Sequence, residues 1–352
     1  MSQPGALSRT ILAVLWLLLG IAMVAVPVWL GWTRWPAILS GHPAMLVATM
    51  VCALGGLVAV AWSVATLILG DRLDREGDPD RPARRTPDQL IRRAKRRIIL
   101  AIPALTVCLL LVVGLAAVRP FVATATATDA LHSDSRVRIA ERLGWYEMAP
   151  IREDKSGKAI KPTTGLIFIP GARVDARAYA HLLRPLVQAG YLVAVLKEPF
   201  GLSVLDSNHA LTVLGVHPEI TYWAVGGHSL GGVTAASLAD DEEQINGLVL
   251  YAAYPASRLA RSDLKVLSVS GSADGLSTPA DIEAGKGDLP ANTTYVVVDG
   301  AVHSWFGDYG DQPGDGIPTG DRAAAQTLIT KSTQTLLVSL TPPPPPKKKK
   351  KK

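Results

Sequence analysis

Three stretches in the first third of the chain contain no Asp, Glu, Lys or Arg: residues 11–32, 44–70 and 98–118. Each reaches the roughly 20 apolar residues that a helix needs to cross a bilayer's hydrocarbon core. Such a core offers no water to the backbone, so helices are the expected form. A wholly soluble or wholly disordered chain is thereby excluded, and residues 1–118 read as a membrane region. Trp29, Trp32 and Trp35 cluster at the end of the first run, where amphipathic rings favour the interface. Pro27 and Pro103 mark expected kinks, and Gly55-Gly56 would permit close helix contact. Residues 71–97 end in Arg92-Arg93-Ala94-Lys95-Arg96-Arg97, whereas only Arg34 lies between the first two runs. The positive-inside rule then predicts a cytoplasmic N-terminus and a cytoplasmic 71–97 loop, with everything beyond Val118 outside. Two removal signals compete with this reading. The first run exceeds the 7–15-residue apolar core of a signal peptide, but Ala123-Thr124-Ala125-Thr126-Ala127 after the third resembles an A-x-A cleavage context.

The formal net charge of +6 does not imply a nucleic-acid partner, because Lys347–Lys352 alone supply six positive charges. The membrane half is otherwise net positive and the remainder net negative. The two cysteines, Cys52 and Cys108, both sit in apolar runs, so residues beyond 108 cannot form a disulfide among themselves. The tail, residues 341–352, is a proline run followed by lysines and cannot pack a core. It reads as a solvated, disordered tail, with contact to anionic surfaces as the functional alternative.

From about Arg136 the pattern changes to short apolar strands alternating with helix-like segments. An entry strand or hairpin is predicted at 137–147, and strands near 165–169, 191–196, 221–225, 248–252, 266–270 and 294–298. Helices are predicted over 176–189, 203–214, 231–239 and 321–340, with 119–135 left as a linker. This alternation predicts a mostly parallel sheet covered by helices on both faces, in one domain spanning 136–340.

The motif Gly227-His228-Ser229-Leu230-Gly231 falls between a predicted strand and a predicted helix. That context is what a nucleophile elbow requires, since the glycines let helix and strand approach while the serine is held exposed. A serine hydroxyl needs a base to remove its proton. His303 is the only one of seven histidines beyond Ser229, and it follows the strand at 294–298. His228 neighbours the serine, and adjacent residues on a sharp turn point apart. His181, His209 and His217 read as loop or helix-face residues. For the acid that orients the base, Asp274 directly follows a strand, with Asp281 and Asp299 as rivals. Oxyanion donors are assigned to the backbone N–H groups of Leu230, after the serine, and Ala172, in the turn after the first parallel strand.

Residues 163–340 resemble the α/β-hydrolase superfamily, and in particular its compact bacterial members. The resemblance rests on Ile169-Pro170-Gly171-Ala172, the helix at 179–189 ended by Gly190, the elbow at 226–232, the loop at 271–275 and Asp299 to His303. It implies a Ser229–Asp274–His303 triad needing no metal or organic cofactor. Few residues separate Ala252 from Val266, where larger relatives insert a cap, so the site is expected to be open. The expected activity is that of a membrane-anchored serine hydrolase acting on a carboxylic ester, with an ester or acyl group of lipid or envelope origin as the expected substrate. A peptidase of the same fold and a non-catalytic membrane scaffold are the alternatives. A transporter is disfavoured because the apolar runs carry no charged residue.

Overall fold

A computed structural model describes residues 4–75, 87–206 and 208–341. Part of the basic loop read at 71–97 and nearly all of the Pro/Lys tail lie outside the described residues. The chain divides into two compact units, one formed by the N-terminal helices and one formed by the chain from Pro120 onward together with Leu39–Pro43.

The first unit contains α1 (Pro4–Ser40), α2 (Pro43–Arg75) and α3 (Pro87–Ala117), each with a segment long and apolar enough to cross a membrane. Their large apolar side chains face outward, as Trp32, Val58 and Leu110 do. In water such faces would drive aggregation; against lipid they cost nothing. Thr33, Thr49, Thr66 and Thr106 each donate to the carbonyl four residues back, which satisfies their hydroxyls within the helix. Of the glycine pair, Gly56 makes the close contact: a Cβ there would lie 2.8 Å from the Gly20 carbonyl oxygen and 2.7 Å from Met23 Cβ. Cys52 donates to the Met23 carbonyl at 3.4 Å beside it.

The second unit is built on one eight-stranded sheet. Its strands are β1 (Val137–Glu141), β2 (Trp145–Pro150), β3 (Thr164–Ile169), β4 (Leu192–Leu196), β5 (Tyr222–His228), β6 (Ile245–Tyr251), β7 (Lys265–Gly271) and β8 (Thr294–Val298). The spatial order is β1-β2-β4-β3-β5-β6-β7-β8, antiparallel through β2–β4 and parallel from β4 to β8. The helices are α4 (Ala125–Asp129), α5 (Ala180–Gln188), α6 (His209–Val216), α7 (Leu230–Asp241), α8 (Pro279–Gly285) and α9 (Arg322–Leu340). Period-two alternation sorts the buried strand residues onto two faces. Leu166, Phe168, Val193, Val195, Val249 and Tyr251 pack with α5 and α9, while Ile167, Ile169, Ala194, Leu248 and Leu250 pack with α6 and α7. The central strands are buried on both sides, hence their nearly continuous apolar sequence. After β4 the chain crosses back over β3 to form β5, creating a switch point at the carboxyl ends of β3 and β5. Ligands of open α/β sheets bind in such a crevice.

Two segments differ from the sequence reading. Residues 120–131, taken there as linker, are built into this unit: Phe121 bridges Val174 and Ala127 is fully buried in α4. Within the cleavage-like Ala-Thr repeat, Ala127 is buried while Ala125 and Thr126 are exposed. The helix predicted at 203–214 is instead a 3-10 turn, Ser203–Leu205, followed by α6 from His209. Ser203 Oγ lies 2.7 Å from Thr234 Oγ1, tying the turn to α7.

Candidate active site

Ser229 occupies the turn between β5 and α7 with φ 53° and ψ −125°. A non-glycine residue in this region carries strain of roughly 1–3 kcal/mol. The surroundings hold it there. Ser229 N–H donates to the Tyr251 carbonyl at 3.0 Å, and the Ser229 carbonyl accepts from Gly232 and Val233 at the start of α7. Gly227 and Gly231 are required by close approach, since a Cβ on Gly231 would overlap the carbonyls of Ile169 and Pro170, and one on Gly227 would overlap Gly231 itself.

His303 begins the 3-10 helix His303–Phe306 after β8 and is 1% exposed. Its Nδ1 lies 2.9 Å from Asp274 Oδ2 and 3.2 Å from Oδ1. Asp274, in the loop after β7, is buried and accepts from the backbone N–H groups of Leu276 and Ser277 at 2.8 Å each. These bonds aim the carboxylate at the imidazole. The rival carboxylates are engaged elsewhere. Asp281 closes a capping box with Thr278 at the start of α8, and Asp299 accepts from Ser272 Oγ at 3.1 Å. Ser229, Asp274 and His303 therefore all sit at the carboxyl edge of the parallel sheet, just beyond the ends of β5, β7 and β8.

The two assigned oxyanion donors also come from this edge. Leu230 is the first residue of α7, where helical N–H groups have no carbonyl partner. In the turn after β3, Gly171 N–H donates to Tyr179 Oη at 2.9 Å and Arg173 N–H to the Gly201 carbonyl at 2.7 Å. Among the described residues Ala172 N–H has no partner in the turn. The segment read as linker braces this turn: Phe121 N–H donates to the Arg173 carbonyl at 2.7 Å, and Asp175 N–H returns to the Phe121 carbonyl at 2.9 Å. Arg173, itself at φ 63°, stacks its guanidinium on the Phe121 ring.

Two residues that the sequence did not single out for the site support it. Tyr179 is fully buried, and its hydroxyl, already accepting from Gly171, lies 2.9 Å from His228 Nδ1. Burial holds the His228 imidazole well below its ordinary pKa, with His303 alongside adding to the effect, and holds the Tyr179 phenol above its own. Both stay neutral, so the hydroxyl proton can serve His228 Nδ1. The His228 and His303 rings are 4.5 Å apart between centroids, so His228 forms the floor under His303 rather than competing for Ser229. The second residue is Asp315, whose carboxylate receives the His303 N–H at 2.9 Å. His209 and His217 are also more enclosed than loop residues would be; His217 links Glu147 at 3.0 Å and Glu219 at 3.1 Å. Among the described residues no group of three or more His, Cys, Asp or Glu side chains is placed to hold a metal ion.

A parallel sheet with this strand order, a strained serine between strand and helix, and a buried Asp–His pair after later strands define the α/β-hydrolase fold. In agreement, residues 165–327 match the model of a family described as the alpha/beta hydrolase family. Among solved structures, TT1662 from Thermus thermophilus is similar at 14% identity, over 58% of this chain and 98% of its own, with a TM-score of 0.42. An alpha-beta serine hydrolase homologue from Coxiella burnetii is similar at 16% identity, over 57% of this chain and 98% of its own, with a TM-score of 0.39. No curated protein matches the chain significantly. The connection from Tyr251 to Lys265 carries no inserted cap.

Proposed function

We propose that this chain is a membrane-anchored serine hydrolase that cleaves a carboxylic ester. The observation carrying this reading is the strained Ser229 at the same sheet edge as the buried Asp274–His303 pair. Ser229 Oγ attacks the ester carbonyl carbon while His303 Nε2 takes the hydroxyl proton. Asp274 keeps the imidazole in the tautomer with its proton on Nδ1 and stabilises the imidazolium. The N–H groups of Leu230 and Ala172 stabilise the oxyanion. Collapse of the tetrahedral intermediate expels the alcohol, which receives the proton from His303. Water, activated by the same base, then hydrolyses the acyl-enzyme.

The three apolar helices support anchoring, and the basic residues between the second and third support a cytoplasmic loop with the hydrolase domain outside. Location beside a bilayer and the uncapped β6–β7 connection favour an accessible ester of lipid or envelope origin. Fluorophosphonate labelling of the detergent-extracted full chain tests the mechanism. The wild type should label, Ser229→Ala and His303→Ala should not, and Asp274→Asn should label on the order of 10²–10⁴ times more slowly. A folded wild type that does not label would overturn the proposal.

A further inference from the structure

The segment between His303 and α9 is rich in glycine and aspartate, and one of its side chains reaches back into the site. Asp315 Oδ1 accepts from His303 N–H at 2.9 Å and Gly316 N–H at 2.7 Å, with Gly275 N–H at 3.4 Å. Its Oδ2 accepts from Ser304 N–H at 2.8 Å. One carboxylate therefore gathers backbone donors from the loop that carries His303 and from the loop that carries Asp274. The backbones are in direct contact as well. A Cβ on Gly275 would lie 2.6 Å from Gly316 N and 2.8 Å from the Asp315 carbonyl carbon, and one on Gly316 would overlap the Ala273 carbonyl. The far end of the segment is fastened beside the same site, with Thr319 N–H donating to the Gly300 carbonyl at 3.1 Å.

We propose that Asp315 is a positioning residue that holds the His303 and Asp274 loops in register, so that the imidazole stays both on its acid and within reach of Ser229. This rests on the serine-hydrolase reading. An anion is suited to the task because hydrogen bonds to an ionised acceptor are about twice as strong as neutral ones. Rigid support is needed because a displacement of about 1 Å at reacting groups can cost roughly 100-fold in rate. Burial alone would raise the Asp315 carboxyl pKa, but the N–H groups of Ser304, His303, Gly316 and Gly275 overcome this and lower it. The carboxylate thus stays ionised at neutral pH, and its contribution is lost only as pH falls through that lowered value. Other ionisable groups at this junction are Asp274, His303 and Tyr309, whose phenol burial keeps protonated.

The test compares wild type, Asp315→Asn and Asp321→Ala, all as full chains in detergent. Asp321 caps α9 through Ala324 N–H and serves as a control for stability alone. In Asp315→Asn an amide N–H₂ must face a backbone donor, so the clamp opens even though the volume is kept. Fluorophosphonate labelling should slow roughly 10–100-fold, and its rate–concentration profile should lose maximal rate with the half-saturating probe concentration unchanged. Hydrogen–deuterium exchange should rise about tenfold in peptides covering 271–277 and 300–306, but not in β5. Asp321→Ala should change the unfolding temperature and none of these. Labelling and profile unchanged in Asp315→Asn, even with a lowered unfolding temperature, would overturn the positioning role. If wild type fails to label, the hydrolase reading falls, and exchange unchanged in Asp315→Asn would then overturn the clamp separately.

Discussion

Beyond the carboxyl end of β4, Glu198 is a buried carboxylate whose Oε2 has no hydrogen-bond partner among the described residues. The nearest base, His209 Nδ1, is 3.8 Å away, too far for a hydrogen bond. Burial raises the Glu198 pKa above its ordinary value, with His209 offsetting only part of the effect. A carboxyl whose folded-state pKa is raised binds more protons folded than unfolded, so it destabilises the fold increasingly as pH rises through that window. Glu198→Gln should therefore unfold a few degrees higher than wild type at pH 8, with the difference shrinking toward pH 5. Differential scanning fluorimetry across that range checks it; an advantage that grows as pH falls would contradict the assignment. The residues of the site itself differ in how visible they are in the sequence. Ser229 is marked by its motif and His303 by chain order. Asp315 is one of several aspartates in 308–321, and no spacing tells which one folds back. The only hint is that a glycine-rich connection of this length inside a compact domain is unusual without a task.

At the scale of elements, the same substitution should have opposite signs at two glycines. A methyl at Gly231 overlaps the end of β3, so Gly231→Ala should cost about 2–4 kcal/mol and displace the serine turn. Gly215 lies in α6, is exposed, and has nothing within 4 Å of where a Cβ would stand. Gly215→Ala should gain about 0.5–1 kcal/mol through helix propensity. Thermal unfolding with fluorophosphonate labelling distinguishes them: Gly231→Ala should lose both stability and labelling, and Gly215→Ala neither. The strands β3 to β8 were legible because each is a short apolar run bounded by glycine, proline or polar residues. The path of 120–131 was not. Phe121 pairs with Val174 across fifty residues, and nothing in the composition of an Ala-Thr segment announces such a partner. The break before α6 was likewise hidden, because it depends on Ser203 meeting Thr234 on another helix.

For the molecule as a whole, three charge-free runs and the placement of basic residues favour one orientation across a bilayer. With Cys52 and Cys108 replaced by alanine, a cysteine at exposed Ser262 should react with a membrane-impermeant maleimide added to intact cells. A cysteine at Asp88 should react only after permeabilisation. The reverse pattern would turn the proposed orientation over and place the hydrolase chemistry in the cytoplasm.

What the sequence determined by itself is carried by local composition and short-range spacing. Runs long enough to span lipid, strand–helix alternation, the strand–turn–helix context of Ser229 and the Ser–Asp–His order are all of this kind. The tertiary structure alone decided which carboxylate lies against His303, that Tyr179 and His228 form the wall beneath it, and that Asp315 joins two loops. Those choices turn on backbone N–H groups and on close approaches between segments far apart in the chain, and such donors and distances come into being only when the chain has folded.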